Sequence, residues 1–173
     1  MPGEILCFKI VSNETNVKEV FHLKRSTGFR LEDFLPYRLS VTTNRISRAF
    51  AAHYEQEFGI SIPEWRVIAV LGAFAPLSSN AICERTAMDK AKVSRAVASL
   101  LKRGLIQRDA HATDQRLIQL TLSKTGRKIY EAIIPRARAI EAEVTKGLSK
   151  TDIAALHRIL DRIGARLDVI ESN

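Results

Sequence analysis

The sequence predicts a mainly α protein with a small β component: a helix-turn-helix followed by a β-hairpin wing, with long helices on either side forming a dimerisation region. Three observations carry this reading. A capped, amphipathic, basic helix follows Asp89 and stops before Gly104. The pattern then switches to alternation, with Ile118, Leu120 and Leu122 against Gln119 and Thr121, the period of a half-buried strand. Near the C-terminus Ile153, Leu156, Leu160, Ile163, Leu167 and Ile170 repeat at 3, 4, 3, 4, 3, a heptad seam.

Taken in order, residues 1–30 read as an N-terminal extension. Ile5, Cys7, Phe8, Ile10 and Val11 suit a short strand, Val17 to Lys24 a helical turn or two, and Ser26-Thr-Gly28 a linker. A first long helix is expected from about Asp33 to Phe58. Pro36 falls in its first turn, where a missing amide hydrogen costs little, and Gly59 stops it. Ile46, Phe50, Tyr54 and Phe58 form its core-facing row. Ser61-Ile-Pro-Glu64 is a capping-box signature opening a helix to about Ala73, with Trp65, Ile68 and Leu71 or Ala69 inward. Pro76 ends that segment. Ser78 or Ser79 caps a short helix to Arg85, and Thr86 to Met88 make the turn.

The helix after Asp89 is the best defined. The Asp carboxylate accepts from free first-turn amides, and Gly104 suits the left-handed residue that ends a helix. Val93, Ala96, Val97, Leu100 and Leu101 draw one apolar stripe, while Lys90, Lys92, Ser94, Arg95, Ser99 and Lys102 occupy the other face. Arg and Lys donate to guanine edges or phosphates and Ser adapts to either, which suits a helix laid in the major groove. Strands are expected at Leu105 to Arg108 and Arg116 to Ser123, joined by a polar loop. Ser123 caps a helix to about Gly147, kinked at Pro135. Ser149-Lys-Thr-Asp152 opens the last helix, whose seam is read as a dimer interface.

The 46% hydrophobic and 27% charged composition is that of a folded globular chain. The net charge is +8, and residues 79–127 alone hold ten cations against four acids. Such concentration on one helix and one hairpin is the footprint of a phosphate-binding surface. The run Val67 to Leu77 is too short to span a bilayer, the N-terminus lacks a signal-peptide pattern, and Cys7 and Cys83 make no disulfide framework or metal spacing. A cytoplasmic location without membrane association is therefore expected. His22, His53, His111 and His157 offer no i, i+4 ligand pair, so neither metal nor cofactor is expected. No Gly-rich phosphate loop, nucleophile elbow or His/Asp/Glu cluster supports an enzyme.

The chain resembles the MarR family of transcription regulators over about residues 31 to 170. Lys102-Arg-Gly-Leu-Ile-Gln-Arg108 resembles the family's entry into the wing. Asp114-Gln-Arg116 matches its Asp-x-Arg wing motif, and Leu122-Ser-Lys-Thr-Gly126 its exit, with Ser in place of Thr. The resemblance implies a MarR-type domain over 31–173, with 61–127 as the winged-helix DNA-binding lobe and 31–60 plus 128–173 as dimerisation helices. It further implies a homodimer on a pseudo-palindromic operator in double-stranded DNA, usually a repressor released by a small-molecule effector. DNA contacts are expected at Lys90, Lys92, Ser94 and Arg95, with Arg103 and Ser78 or Ser79 as phosphate contacts. Arg116 would enter the minor groove, oriented by Asp114.

Family members that bind small molecules generally do so between the DNA-binding lobe and the dimer helices. Tyr37, Arg38, His53, Trp65 and Arg66 are the residues expected there. Rings beside guanidinium groups suit a planar aromatic carboxylate or its thioester. Tyr37-Arg-Leu-Ser and Pro63-Glu-Trp-Arg66 are similar to the branch controlling breakdown of aromatic acids, including hydroxycinnamates and their coenzyme A thioesters. The alternatives are a redox-sensing regulator using Cys7 and a non-specific architectural DNA binder.

Overall fold

The computed structural model describes residues 28–110 and 118–172, which belong to two compact units, Met1–Arg38 and Leu39–Asn173. The expected strand at Ile5 to Val11, Cys7 with it, and the tip of the wing lie outside the described residues. In the first unit Leu31–Asp33 form a 3-10 turn. Arg30 pairs with Glu32 at 2.9 Å and Asp33 at 3.3 Å, and Phe29 meets Phe34 edge-on at 5.4 Å. With those residues in a tighter turn, the first helix, α1, begins at Leu35 rather than Asp33 and runs to Phe58.

In the second unit Gly59 takes φ +60° and turns the chain out of α1. Helix α2 spans Ile62–Phe74 behind the expected capping box. A cis Ala75–Pro76 bond follows, and Ser78 accepts from the Ala81 amide at 3.2 Å to open α3, Ser79–Thr86. The helix gains one residue on the sequence reading because the Thr86 hydroxyl donates back to the Ile82 carbonyl at 2.6 Å. Ala87, at φ +50°, makes the sharp turn into α4, Lys90–Lys102. Strands β1 (Ile106–Ala110) and β2 (Ile118–Leu122) pair antiparallel, Ile106 opposite Leu122 and Ala110 opposite Ile118. A residue between elements extends this sheet: Leu77 and Leu120 exchange both backbone hydrogen bonds, at 3.1 and 2.8 Å.

Helix α5, Lys124–Val144, is capped by Ser123, whose hydroxyl accepts from the Gly126 amide and donates to the Gly104 carbonyl. It runs through Pro135 without interruption and stops three residues short of Gly147, where the Thr145 hydroxyl donates to the Glu141 carbonyl at 2.7 Å. Helix α6 spans Lys150–Glu171 behind a Ser149/Asp152 capping box.

The core is built around α2, whose Val67, Ile68 and Leu71 are fully buried against Ile82 of α3, Val93 and Leu100 of α4, Leu120 of β2 and Ile133 of α5. By contrast α6 buries no residue within the protomer. Its seam residues Leu156, Leu160, Leu167 and Ile170 are 42–57% exposed, so the heptads are not internal packing. No helix among the described residues is long and apolar enough to cross a membrane.

Candidate nucleic-acid interface and aromatic pocket

Helix α4 presents two chemically distinct faces. Val93, Ala96, Val97 and Leu100 are buried, while Lys90, Lys92, Ser94 and Arg95 are exposed. The Asp89 carboxylate accepts from the Lys92 amide at 2.8 Å and pairs with the Lys92 ammonium at 3.0 Å. These bonds, the backbone one foremost, hold the Asp89 carboxyl below its ordinary range. The first turn thus stays capped while three cations remain exposed around it, a surface matched to phosphate and guanine acceptors. At the base of the wing the Thr121 hydroxyl donates to Asp109 at 2.6 Å across the strands. Asp114 and Arg116, expected at the wing tip, lie outside the described residues.

Two polar residues on α4 and just beyond it point elsewhere. The Ser99 hydroxyl, read from the sequence as part of the groove-facing side, donates to buried Glu64 at 2.6 Å. Arg103, expected on phosphate, donates to the carbonyls of Phe58 at 2.7 Å and Gly59 at 2.9 Å, and lies 3.5 Å from Glu64. Its donors serve the end of α1, where helical carbonyls otherwise lack partners. Ser78 likewise spends its side chain on capping α3.

A cavity of about 790 Å³ opens between α1, the first turn of α2, and α5. Its aromatic wall is Phe50, Tyr54, Trp65 and Tyr130. Trp65 stacks on Tyr130 at 6.2 Å and meets Phe50 nearly at right angles at 5.5 Å. Ile46, expected in the core, is 40% exposed because it faces this space. Arg66 and Arg138 bring positive charge to the rim, and Glu131 and Glu141 negative charge. Burial pushes the Tyr54 phenol up to about 12; Glu55 adds to the rise and Arg66 opposes it. The phenol therefore stays neutral and keeps its proton to donate.

A model of the MarR family matches residues 58–117, from the end of α1 through α4 into the wing. A solved structure of a probable transcriptional regulator from Pseudomonas aeruginosa is 32% identical. It aligns with 78% of this chain and 99% of its own, at a TM-score of 0.65. The chain belongs to the MarR family. A MarR/EmrR family regulator from Acinetobacter is 25% identical, covering 81% of this chain and 99% of that one at a TM-score of 0.75. The curated regulator TcaR of Staphylococcus aureus is 27% identical over 150 residues, 86% of this chain and 95% of its own. The MarR assignment makes this protein a DNA-binding transcriptional regulator and not an enzyme. MarR regulators work as dimers.

Of the residues expected at a MarR effector site, Trp65 and Arg66 line the cavity together. His53 does not: its ring is exposed and its Nδ1 lies 2.9 Å from the Ala49 carbonyl oxygen one turn back. Tyr37 and Arg38 belong to the first turn of α1 in the other unit. The sequence reading missed the α5 half of the wall, Tyr130, Ile134, Arg138 and Glu141. The signal was available as an apolar row at Tyr130, Ile134 and Ile140 interleaved with charge. A dimer-helix reading of α5 absorbed it. Among the described residues no group of three His, Cys, Asp or Glu side chains is placed to hold a metal ion.

Proposed function

We propose that this MarR protein is a homodimeric repressor holding a pseudo-palindromic operator, released when a planar aromatic carboxylate or its coenzyme A thioester enters the cavity. The observation that carries the reading is the pairing of α4 with that cavity. One presents capped, exposed cations; the other is ring-lined with two guanidinium groups at its rim. Stacking on Trp65 and Tyr130 would hold an aromatic ring, the neutral Tyr54 phenol would donate to a carbonyl or phenolate, and Arg66 or Arg138 would pair with the acid.

In this reading Lys90, Lys92, Ser94 and Arg95 contact bases and phosphates, Arg116 with Asp114 forms the minor-groove contact of the wing, and Arg103 is structural. The exposed α6 seam pairs with that of a second copy. Twofold symmetry then sets two α4 helices about one helical turn of DNA apart, roughly 34 Å.

Arg95→Ala tests the DNA half: operator affinity should fall by about 1–3 kcal/mol with the dimer intact, and an unchanged affinity would remove α4 from the interface. For the effector half, 4-hydroxycinnamate and its thioester are titrated against the emission of Trp65, the chain's single tryptophan. Saturable quenching together with loss of operator binding is expected. A non-specific architectural binder would instead hold random duplex as tightly as the operator, with both affinities falling steeply as salt rises.

A further inference from the structure

Glu64 does more than cap a helix. Its Oε2 accepts from the Ser61 amide at 2.8 Å and the Ser61 hydroxyl at 2.7 Å, completing the capping box. Its Oε1 points the other way and accepts from the Ser99 hydroxyl of α4 at 2.6 Å. The Arg103 guanidinium stands 3.5 Å from the same oxygen while holding the carbonyl of Phe58, the last residue of α1, and that of Gly59 just beyond it. One buried carboxylate, 7% exposed, thereby joins the end of α1, the first turn of α2 and the last turns of α4.

Glu64 also sits between cavity residues in sequence. Ile62, Trp65 and Arg66 line the cavity, and Phe50 and Tyr54 of α1 complete that side. A helical turn is stiff, so a ligand that displaces the Trp65 ring turns the first turn of α2 and carries the neighbouring carboxylate with it. The Ser99 bond is short, charge-assisted and part-buried, so a shift of its acceptor pulls on α4.

We infer that Glu64, with Ser99 and Arg103, is the joint through which the aromatic cavity and the DNA-reading helix act on each other. The inference rests on the proposed roles of α4 and the cavity. Ser99 and Glu64 are positioning residues here, touching neither DNA nor ligand. Such coupling is reciprocal in the two affinities, and because the joint is mechanical, seating α4 on DNA should shift the first turn of α2 and register at Trp65 even when the cavity is empty.

The test uses the full chain and a duplex enriched by this protein from a random pool, with Trp65 emission as readout. Wild-type protein should change its emission as duplex binds. Ser99→Ala should bind within about tenfold of wild type, the size of one net hydrogen bond, and give no emission change. Ser99→Thr should restore the change. Glu64→Gln, verified as folded by thermal unfolding, should behave like Ser99→Ala. A wild-type response in both variants overturns the joint, as does duplex binding by wild type with silent Trp65. Loss of binding in Ser99→Ala beyond about a hundredfold would place Ser99 on the DNA and overturn it too. If no duplex is bound by the wild-type chain, the DNA-reading role of α4 fails and the joint with it.

Discussion

Gly72 lies directly under the ring of Tyr130: a Cβ at position 72 would come within 2.4 Å of that ring. The contact packs α5 against α2 at a residue without a side chain, and the same Tyr130 ring stacks on Trp65. The glycine therefore fixes the ring that forms one wall of the cavity. Gly72→Ala should displace Tyr130, cost about 1–3 kcal/mol in stability and alter Trp65 emission in the free protein. Thermal unfolding and a single emission spectrum check both. Gly126→Ala should be worse, because its Cβ would meet the Leu105 carbonyl oxygen at 1.9 Å, and a backbone atom held by the Ser123 amide has no rotamer to escape to.

Acid stability should depend on Glu64. Burial raises its carboxyl, but hydrogen bonds from Ser99 and Ser61 and the charge of Arg103 outweigh that and hold it below its ordinary 4.5. A carboxyl with a depressed folded value binds its proton more readily when unfolded. Its contribution is therefore complete above about 4.5 and is lost as pH falls through the folded value. Chemical denaturation midpoints measured below pH 5 should drop steeply for wild type and less steeply for Glu64→Gln.

The opposite sign applies to Tyr54. Its phenol is raised to about 12 from the usual 10, so the folded state favours the neutral form. Stability from this source is present below pH 10 and disappears as pH rises towards 12. Tyr54→Phe should flatten the alkaline limb of the stability curve, and one of the three tyrosines should titrate late in the ultraviolet.

Leu160→Asp should dissociate the dimer. Leu160 is 42% exposed in the protomer and sits mid-seam on α6. Burying one leucine contributes about 1.5–3 kcal/mol, and twofold symmetry removes two at once. The dissociation constant should rise by at least about a hundredfold, with the helical content of the protomer retained. Sedimentation at several concentrations measures the first and circular dichroism the second. A dimer that persists would put the interface elsewhere.

Local chemistry was the legible part of the chain. Ser61/Glu64, Asp89, Ser123 and Ser149/Asp152 each declare a helix start through groups three residues apart, and Gly59 and Gly104 mark stops that take positive φ. What escaped were pairings across long separations. The capping box identifies one oxygen of Glu64, but nothing near position 64 names Ser99, 35 residues away, as partner of the other. Ser99 reads as groove-facing because helical periodicity places a residue on a face without saying what that face meets, and Arg103, expected on phosphate, carries no local sign that its donors turn to Phe58 and Gly59. Leu77 joins the sheet as one residue, too short to leave an alternating pattern. The cavity was half visible: Trp65 and Arg66 stood out by type, whereas Tyr130 and Arg138 meet them only because α5 crosses α2 at Gly72.

The Leu77–Leu120 exchange has a mechanical consequence. It fastens the segment between α2 and α3 to the wing's second strand, while Ser123 fastens the same strand's end to the root of the first through its hydroxyl and its amide. The helix-turn-helix and the base of the hairpin are thereby one stiff lever. Its length is fixed at synthesis and only its angle remains adjustable. In a twofold pair, the span between two such levers becomes a ruler whose calibration is set at the pivot rather than at the tips.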